Sequence, residues 1–268
     1  MQLNPPGQRF CIRTSLPDWQ LTNTLLFLHM LSLLTLALAP GIAIACYIYF
    51  KDKYNREPII TLLITFLLGA CSIIPAILIQ RAAFPVLQRH FNFYAINFYV
   101  IYAFGIVALS EEGCKFLVLR WYAWTRKAFD EPMDGIVYSV MASMGFATVE
   151  NVMYVTKGGF TTGIVRMFLS VPAHASFAIL MGYYAGIAKF ASRFKTATLM
   201  AGFLLAAFFH GTFDFFLFLQ NNPNVTRYVS TGLLVAGAIA SYSIALRMAF
   251  KSIRLHQQLS KDQFYNTL

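Results

Sequence analysis

Long apolar runs separated by short polar stretches dominate this chain. Seven of them, roughly 23–50, 59–81, 94–119, 134–156, 162–189, 196–219 and 228–250, reach the length of about 20 residues that a helix needs to cross hydrocarbon. The runs do not alternate. Ile59 to Leu68 and Leu199 to Phe209 are apolar at nearly every position, whereas a membrane barrel strand alternates over about ten residues. Lipid offers no partner for a free backbone group, so the pattern predicts an all-α, polytopic transmembrane bundle of about seven spans. The connections are too short for a second domain. A polar segment over 1–22 is expected to precede a membrane-embedded domain over 23–250, with a cytoplasmic tail over 251–268.

Composition agrees with lipid as the solvent. Hydrophobic residues make up 58% of the 268 and charged residues 12%, against roughly 25% charged in soluble domains. The basic residues also give a direction. Loops after the odd segments carry Lys51, Lys53, Arg56, Arg120, Arg126, Lys127, Lys189, Arg193, Lys195, Arg247, Lys251, Arg254 and Lys261, thirteen in all. The opposite side carries seven: Arg9, Arg13, Arg81, Arg89, Lys157, Arg166 and Arg227. Positive-inside logic then puts the N-terminus outside and the C-terminus in the cytoplasm. The net charge of +10 is spread over both faces, which argues against a nucleic-acid partner and for anionic lipid headgroups. Cys11, Cys46, Cys71 and Cys114 form no CxxC pair, so neither a disulfide framework nor a thiolate zinc site is indicated. The first apolar run is too long for the core of a removable signal peptide. The stretch after Arg247, with His256, Gln257, Gln258, Lys261 and Asp262, reads as a solvated helix end.

Candidate chemistry lies where charge is most costly. The chain has eleven carboxylates, and Glu111, Glu112, Glu150 and Asp214 fall inside apolar segments together with His174 and His210. A lone ionised group at membrane depth costs roughly 3 kcal/mol on insertion scales, so a cluster of them predicts a buried polar site. In Ser110-Glu111-Glu112-Gly113-Cys114-Lys115, Glu111 and Lys115 share a helix face while Glu112 points about 100° away. The bland alternative is an interfacial ion pair with Glu112 turned to water. Glu150, followed by Asn151 and Tyr154, stays in the membrane however the fourth segment is drawn, and its bland role is a hydrogen bond to a neighbouring helix. In the fifth segment Pro172 bends the chain beside His174. In the sixth, His210 and Asp214 at i, i+4 suit a His–carboxylate pair or two metal ligands. Small residues at Gly69 with Gly105, and at Gly182 with Gly186, offer close helix contacts, the latter pair serving packing within the chain, a dimer or a substrate groove.

Taken together, Glu111-Glu112-x-x-Lys115, Phe146-x-x-x-Glu150-Asn151-x-x-Tyr154, His174 and His210-x-x-x-Asp214 resemble, in order and membrane context, the PrsW intramembrane proteases, relatives of the CAAX prenyl endopeptidases and bacteriocin-processing proteins. Asp52-x-x-Asn55-x-Glu57-Pro58 looks like that family's loop after the first segment. The likeness covers about 40–215. It implies a multi-pass protein of the cell membrane that hydrolyses a peptide bond of a single-span substrate such as an anti-sigma factor. Carried over by position, the resemblance makes Glu111 the base that activates water and Glu112 its support, tied to Lys115 or a backbone group. His174 and His210 would orient the water or polarise the scissile carbonyl. Glu150 stands where CAAX-type relatives have a His, and Asp214 where they often have Asn. No cofactor is favoured; the alternative is zinc held by His174 and His210 with Glu111 or Glu150. Two rival classes stay open, a proton- or ion-coupled transporter and a non-catalytic membrane protein that keeps the cluster for packing.

Overall fold

The computed structural model describes residues 18–267, so the polar segment expected over 1–22 lies for the most part outside the described residues. Those residues form helices α1 (Asp18–Lys51), α2 (Ile59–Cys71), α3 (Ile73–His90), α4 (Ile96–Val100), α5 (Leu109–Trp121), α6 (Pro132–Phe168), α7 (Ser170–Phe190), α8 (Lys195–Leu219), α9 (Pro223–Thr226) and α10 (Thr231–Thr267), with a π-helical stretch, Ile101–Ala108, joining α4 to α5. No strand occurs among the described residues. Five stretches, Thr22–Lys51, Ile59–His90, Pro132–Phe190, Lys195–Leu219 and Thr231–Tyr265, are long and apolar enough to cross a membrane. Leu25, Leu26 and Phe27 of α1 and Ile59, Ile60 and Leu63 of α2 stand exposed, as lipid-facing side chains must. The chain is a multi-pass membrane protein.

The seven expected segments correspond in order to α1, α2 with α3, α4 through α5, the first arm of α6, its second arm with α7, α8, and α10. The division inside α6 comes from Gly159, whose φ of 70° and ψ of −162° are non-helical and open only to glycine. On either side of it the chain runs antiparallel to itself. Gly135 lies against Gly182 and Gly186, the Ser143 hydroxyl donates to the His174 carbonyl at 3.1 Å, and a methyl added to Gly163 would lie 3.5 Å from the Val155 side chain. The break between α2 and α3 is local: Ser72 donates its hydroxyl to the Gly69 carbonyl at 2.7 Å and the helix resumes at once.

Small residues set the helix separations. A methyl on Gly135, Gly182 or Gly186 would strike the backbone of the opposing helix, so the Gly182–Gly186 pair serves packing within the chain. Gly69 also makes a close crossing, but its partner is Ala142 of α6 and not Gly105, where an added methyl would come no nearer than 3.7 Å to the Ile101 side chain. With that face closed, α6 is buried from Met133 through Thr148. It forms the centre of the bundle.

The far end of the chain differs from expectation. The stretch after Arg247 continues as helix to Thr267 and packs back on the bundle. His256 is fully buried and stacked on Tyr183, ring centroids 4.4 Å apart, while the Gln257 amide donates to the Lys51 carbonyl at 2.6 Å. A period-3.6 pattern of Ile253, His256 and Ser260 marks this buried face. Its polarity disguised it.

Candidate active site

The residues singled out by their polarity meet at one place. Lys115, fully buried on α5, donates to Glu112 Oε1 at 2.8 Å and to His174 Nδ1 at 3.2 Å, lies 3.8 Å from Glu111 Oε2, and sits 4.2 Å over the Phe146 ring. An ammonium has donors only, so Nδ1 of His174 must accept. The ring proton is therefore on Nε2, which donates to Glu150 Oε2 at 2.9 Å. Lys115 thus fixes the tautomer of an imidazole on another helix.

His210 on α8 is held in the same fashion by acids. Its Nδ1 donates to Glu112 Oε1 at 2.8 Å, and Nε2 faces Asp214 at 3.3 Å and Glu111 Oε2 at 3.8 Å. The Phe177 ring stacks on it at 5.4 Å. The two imidazoles are edge to face, centroids 5.1 Å apart. Glu112 therefore bridges Lys115 and His210 through one oxygen and faces inward; it does not turn to water, because burial leaves it no exposure.

Glu111 is placed differently. Its Oε1 accepts from the Gln80 amide of α3 at 3.2 Å, while Oε2 is buried without a hydrogen-bond partner. It borders a cavity of about 230 Å³ that Glu150, His174, His210, Asp214, Arg166 and Tyr102 also line. An adjoining cavity of about 200 Å³ shares Gln80, Glu111, Glu150 and Tyr154 with it. Such a volume holds several waters. The π-helical stretch lies directly before Leu109, so the widened turns set the rotation at which Glu111 and Glu112 enter the bundle; π segments recur at functional sites for this reason.

Sequence reasoning passed over two residues here. Arg166, counted only among the loop charges, reaches 2.7 Å from Glu150 Oε2 and donates through Nε to Asn151 Oδ1 at 2.8 Å. Asn151 in turn donates to the Ala37 carbonyl at 2.9 Å, so it ties α6 to α1 and stands behind the cavity. The Arg166 guanidinium covers the Tyr154 ring at 4.3 Å. Gln80 is the other omission. Both are polar residues in or beside apolar segments, and the cost argument applied to Glu150 would have found them.

Four acids, Glu111, Glu112, Glu150 and Asp214, surround the permanent cations Lys115 and Arg166. The remaining charge is offset by protons on the acids and imidazoles or by a bound cation. Glu111, His174 and His210 each offer one atom within 4.8 Å of the others. Two imidazoles and a carboxylate are a donor set of the kind zinc takes. Both ring nitrogens of His174 are engaged, however, so ligation would require it to leave Lys115 or Glu150.

A bundle of membrane-length helices closing a polar cavity over acids and imidazoles defines a polytopic membrane protein with a buried polar site. The comparisons name which one. A family model described as "PrsW family intramembrane metalloprotease" matches residues 57–245. "Protease PrsW" of Geobacillus kaustophilus is 39% identical over 199 residues, covering 70% of this chain and 80% of that protein. The same-named proteins of Oceanobacillus iheyensis and Bacillus subtilis are 39% and 34% identical, covering 84% and 86% of their own lengths and 70% and 72% of this chain. No solved structure matches. The chain belongs to the PrsW family of intramembrane proteases.

Proposed function

We propose that this membrane protease cleaves a peptide bond of a single-span membrane protein, such as an anti-sigma factor, by a water that Glu111 activates. The observation that carries the reading is the unpartnered, buried Oε2 of Glu111 beside a cavity that both imidazoles line. A carboxylate there takes a proton from water as the water adds to the scissile carbonyl, and returns it to the leaving amine. His210 Nε2 is the nearest ring nitrogen to Glu111 and stabilises the developing oxyanion; His174 Nε2 joins it by turning its proton from Glu150 to the oxyanion. Glu112 and Lys115 hold the two rings, Glu150 holds His174, and Asp214 holds His210. Gln80 orients Glu111. Arg166 and Tyr154 flank Glu150 at the cavity wall, and Asn151 holds Arg166 from behind.

The geometry also favours a second reading. Donor atoms of Glu111, His174 and His210 lie close enough to share one ion. Zinc held by His174, His210 and Glu111, or by Glu150 in its place, would supply a Lewis acid for the scissile carbonyl and acidify water. With the loops rich in Lys and Arg facing the cytoplasm, the C-terminal helix ends inside the cell.

Co-expression with an epitope-tagged single-span substrate tests the assignment. Wild type cleaves it and Glu111→Gln does not. Cleavage that persists in the variant overturns Glu111 as the base.

A further inference from the structure

A second group of buried acids lies at the N-terminal end of α6, where Asp134 precedes Glu150 by sixteen residues, about 24 Å along the helix. Asp52 follows α1, Glu57 precedes α2, and Glu131 and Asp134 begin α6. All four are almost entirely buried, with Asp52 at 1%, Glu57 at 3%, Glu131 at 3% and Asp134 at 0% exposure. One oxygen each from Asp52, Glu131 and Asp134 lies within 4.8 Å of the others.

The protein satisfies half of each carboxylate and leaves the other half. Asp52 Oδ2 accepts the Glu57 backbone N–H at 3.3 Å. Asp134 Oδ2 accepts the N–H groups of Asp130 and Glu131 at 2.8 and 2.7 Å. Glu131 accepts the Asp134 N–H in a reciprocal cap. Asp52 Oδ1, Glu131 Oε1 and Asp134 Oδ1 accept no well-formed hydrogen bond; Glu131 has only the Ser260 hydroxyl and the Asp52 carboxyl beside it. Glu57 is tied off by the Tyr138 hydroxyl.

No ion pair compensates; the nearest positive charge is that of Arg56. Among the described residues no Lys, Arg or His nitrogen forms an ion pair with these four acids. Arg56 is adjacent in sequence, but its Nε donates to the Asp52 backbone carbonyl at 3.3 Å and its guanidinium lies 5.5 Å over the Tyr49 ring. Buried acids this close repel, and each orphaned oxygen forfeits its hydration.

We propose that Asp52, Glu131 and Asp134 bind a hard divalent cation of the calcium and magnesium class. Three carboxylates with oxygens free and no nitrogen or sulfur donor match that class and not zinc. The ion would pin the loop after α1 to the first turn of α6. From that turn α6 runs into its close crossings with α7 at Gly135, Gly182 and Gly186. The site is structural, and it stands whether or not Glu111 is the catalytic base.

Terbium luminescence on the purified full-length protein tests it, since Tyr138 sits beside the acids as a sensitiser. The expected result is a saturable terbium signal that calcium or magnesium displaces, a melting temperature several degrees higher with either ion, and loss of both effects in Asp52→Asn and in Glu131→Gln. Glu111→Gln retains both. The proposal is overturned by a wild type that gives no saturable signal, by a signal that Asp52→Asn and Glu131→Gln leave intact, or by one that Glu111→Gln abolishes. Neutralisation by protons alone gives the first of these. Should the two variants fail to fold, displacement in wild type and its retention in Glu111→Gln still decide.

Discussion

Arg166 Nη2 lies 2.7 Å from Glu150 Oε2, yet the two are sixteen residues apart, on the two arms of α6. In a straight helix that separation is about 24 Å. Reversal at Gly159 brings them together, so a single glycine in a conformation closed to other residues controls whether the acid beside His174 has its cation.

Gly159→Ala should therefore act at a distance. No neighbour within 4 Å opposes a methyl there, so the penalty is backbone strain alone, about 1–3 kcal/mol. Thermal unfolding in detergent should show the loss, and proteolysis should fall with it. An unchanged melting temperature would mean the turn is not needed.

Replacing Arg166 with Met leaves Glu150 and the Asn151 carbonyl oxygen without their shared donor. Breaking a buried pair from one side costs about 3–5 kcal/mol; the Arg166 side chain is 11% and that of Glu150 15% exposed, which puts the expectation at or below the lower figure. Arg166→Lys keeps the charge but not the fork that serves both residues, so its stability should fall between Met and wild type. Equal stability of the three would contradict the pairing.

Lys115→Met removes the donor that fixes the His174 tautomer, and leaves Glu112 with His210 alone. Cleavage should drop by at least about 100-fold, the range for a displaced acid–base group, while Gly113→Ala on the same helix, whose added methyl would meet Phe203 only at 3.9 Å, should retain activity. Similar losses in both would point to a general disturbance of α5.

Zinc content of active, purified protein separates the two mechanisms. Glutamate-activated water predicts substoichiometric zinc and activity that survives a zinc-selective chelator. Stoichiometric zinc, with activity lost on chelation and restored by the metal, would favour the His174, His210 and Glu111 donor set.

Much of this arrangement was legible in the chain because lipid raises the cost of polarity. Glu150, His174 and His210 stood out against apolar neighbours, and each lies in the shared cluster. Helix counting worked for the same reason: a backbone in hydrocarbon has few options. What escaped notice depended on direction and depth, which hydropathy does not encode. Arg166 was counted as a loop charge since nothing in the sequence shows how sharply Gly159 turns the chain. Asn151 was grouped with Glu150, although adjacent helical residues point about 100° apart, and it meets α1 instead of the cavity. The placing of Glu111 in the shared cluster depends on α5 running on through Trp121 and on the π-helical stretch before it, neither of which hydropathy shows. His256 was read as solvated because polar neighbours masked a buried face.

The most direct measurement is the initial rate at which purified protein in lipid nanodiscs cleaves a single-span substrate, compared between wild type and Glu111→Gln. The substitution preserves shape and can still accept from Gln80, so a folding loss is not expected. A fall of at least about 100-fold with an unchanged melting temperature is the predicted result. A rate within a few-fold of wild type would contradict the account.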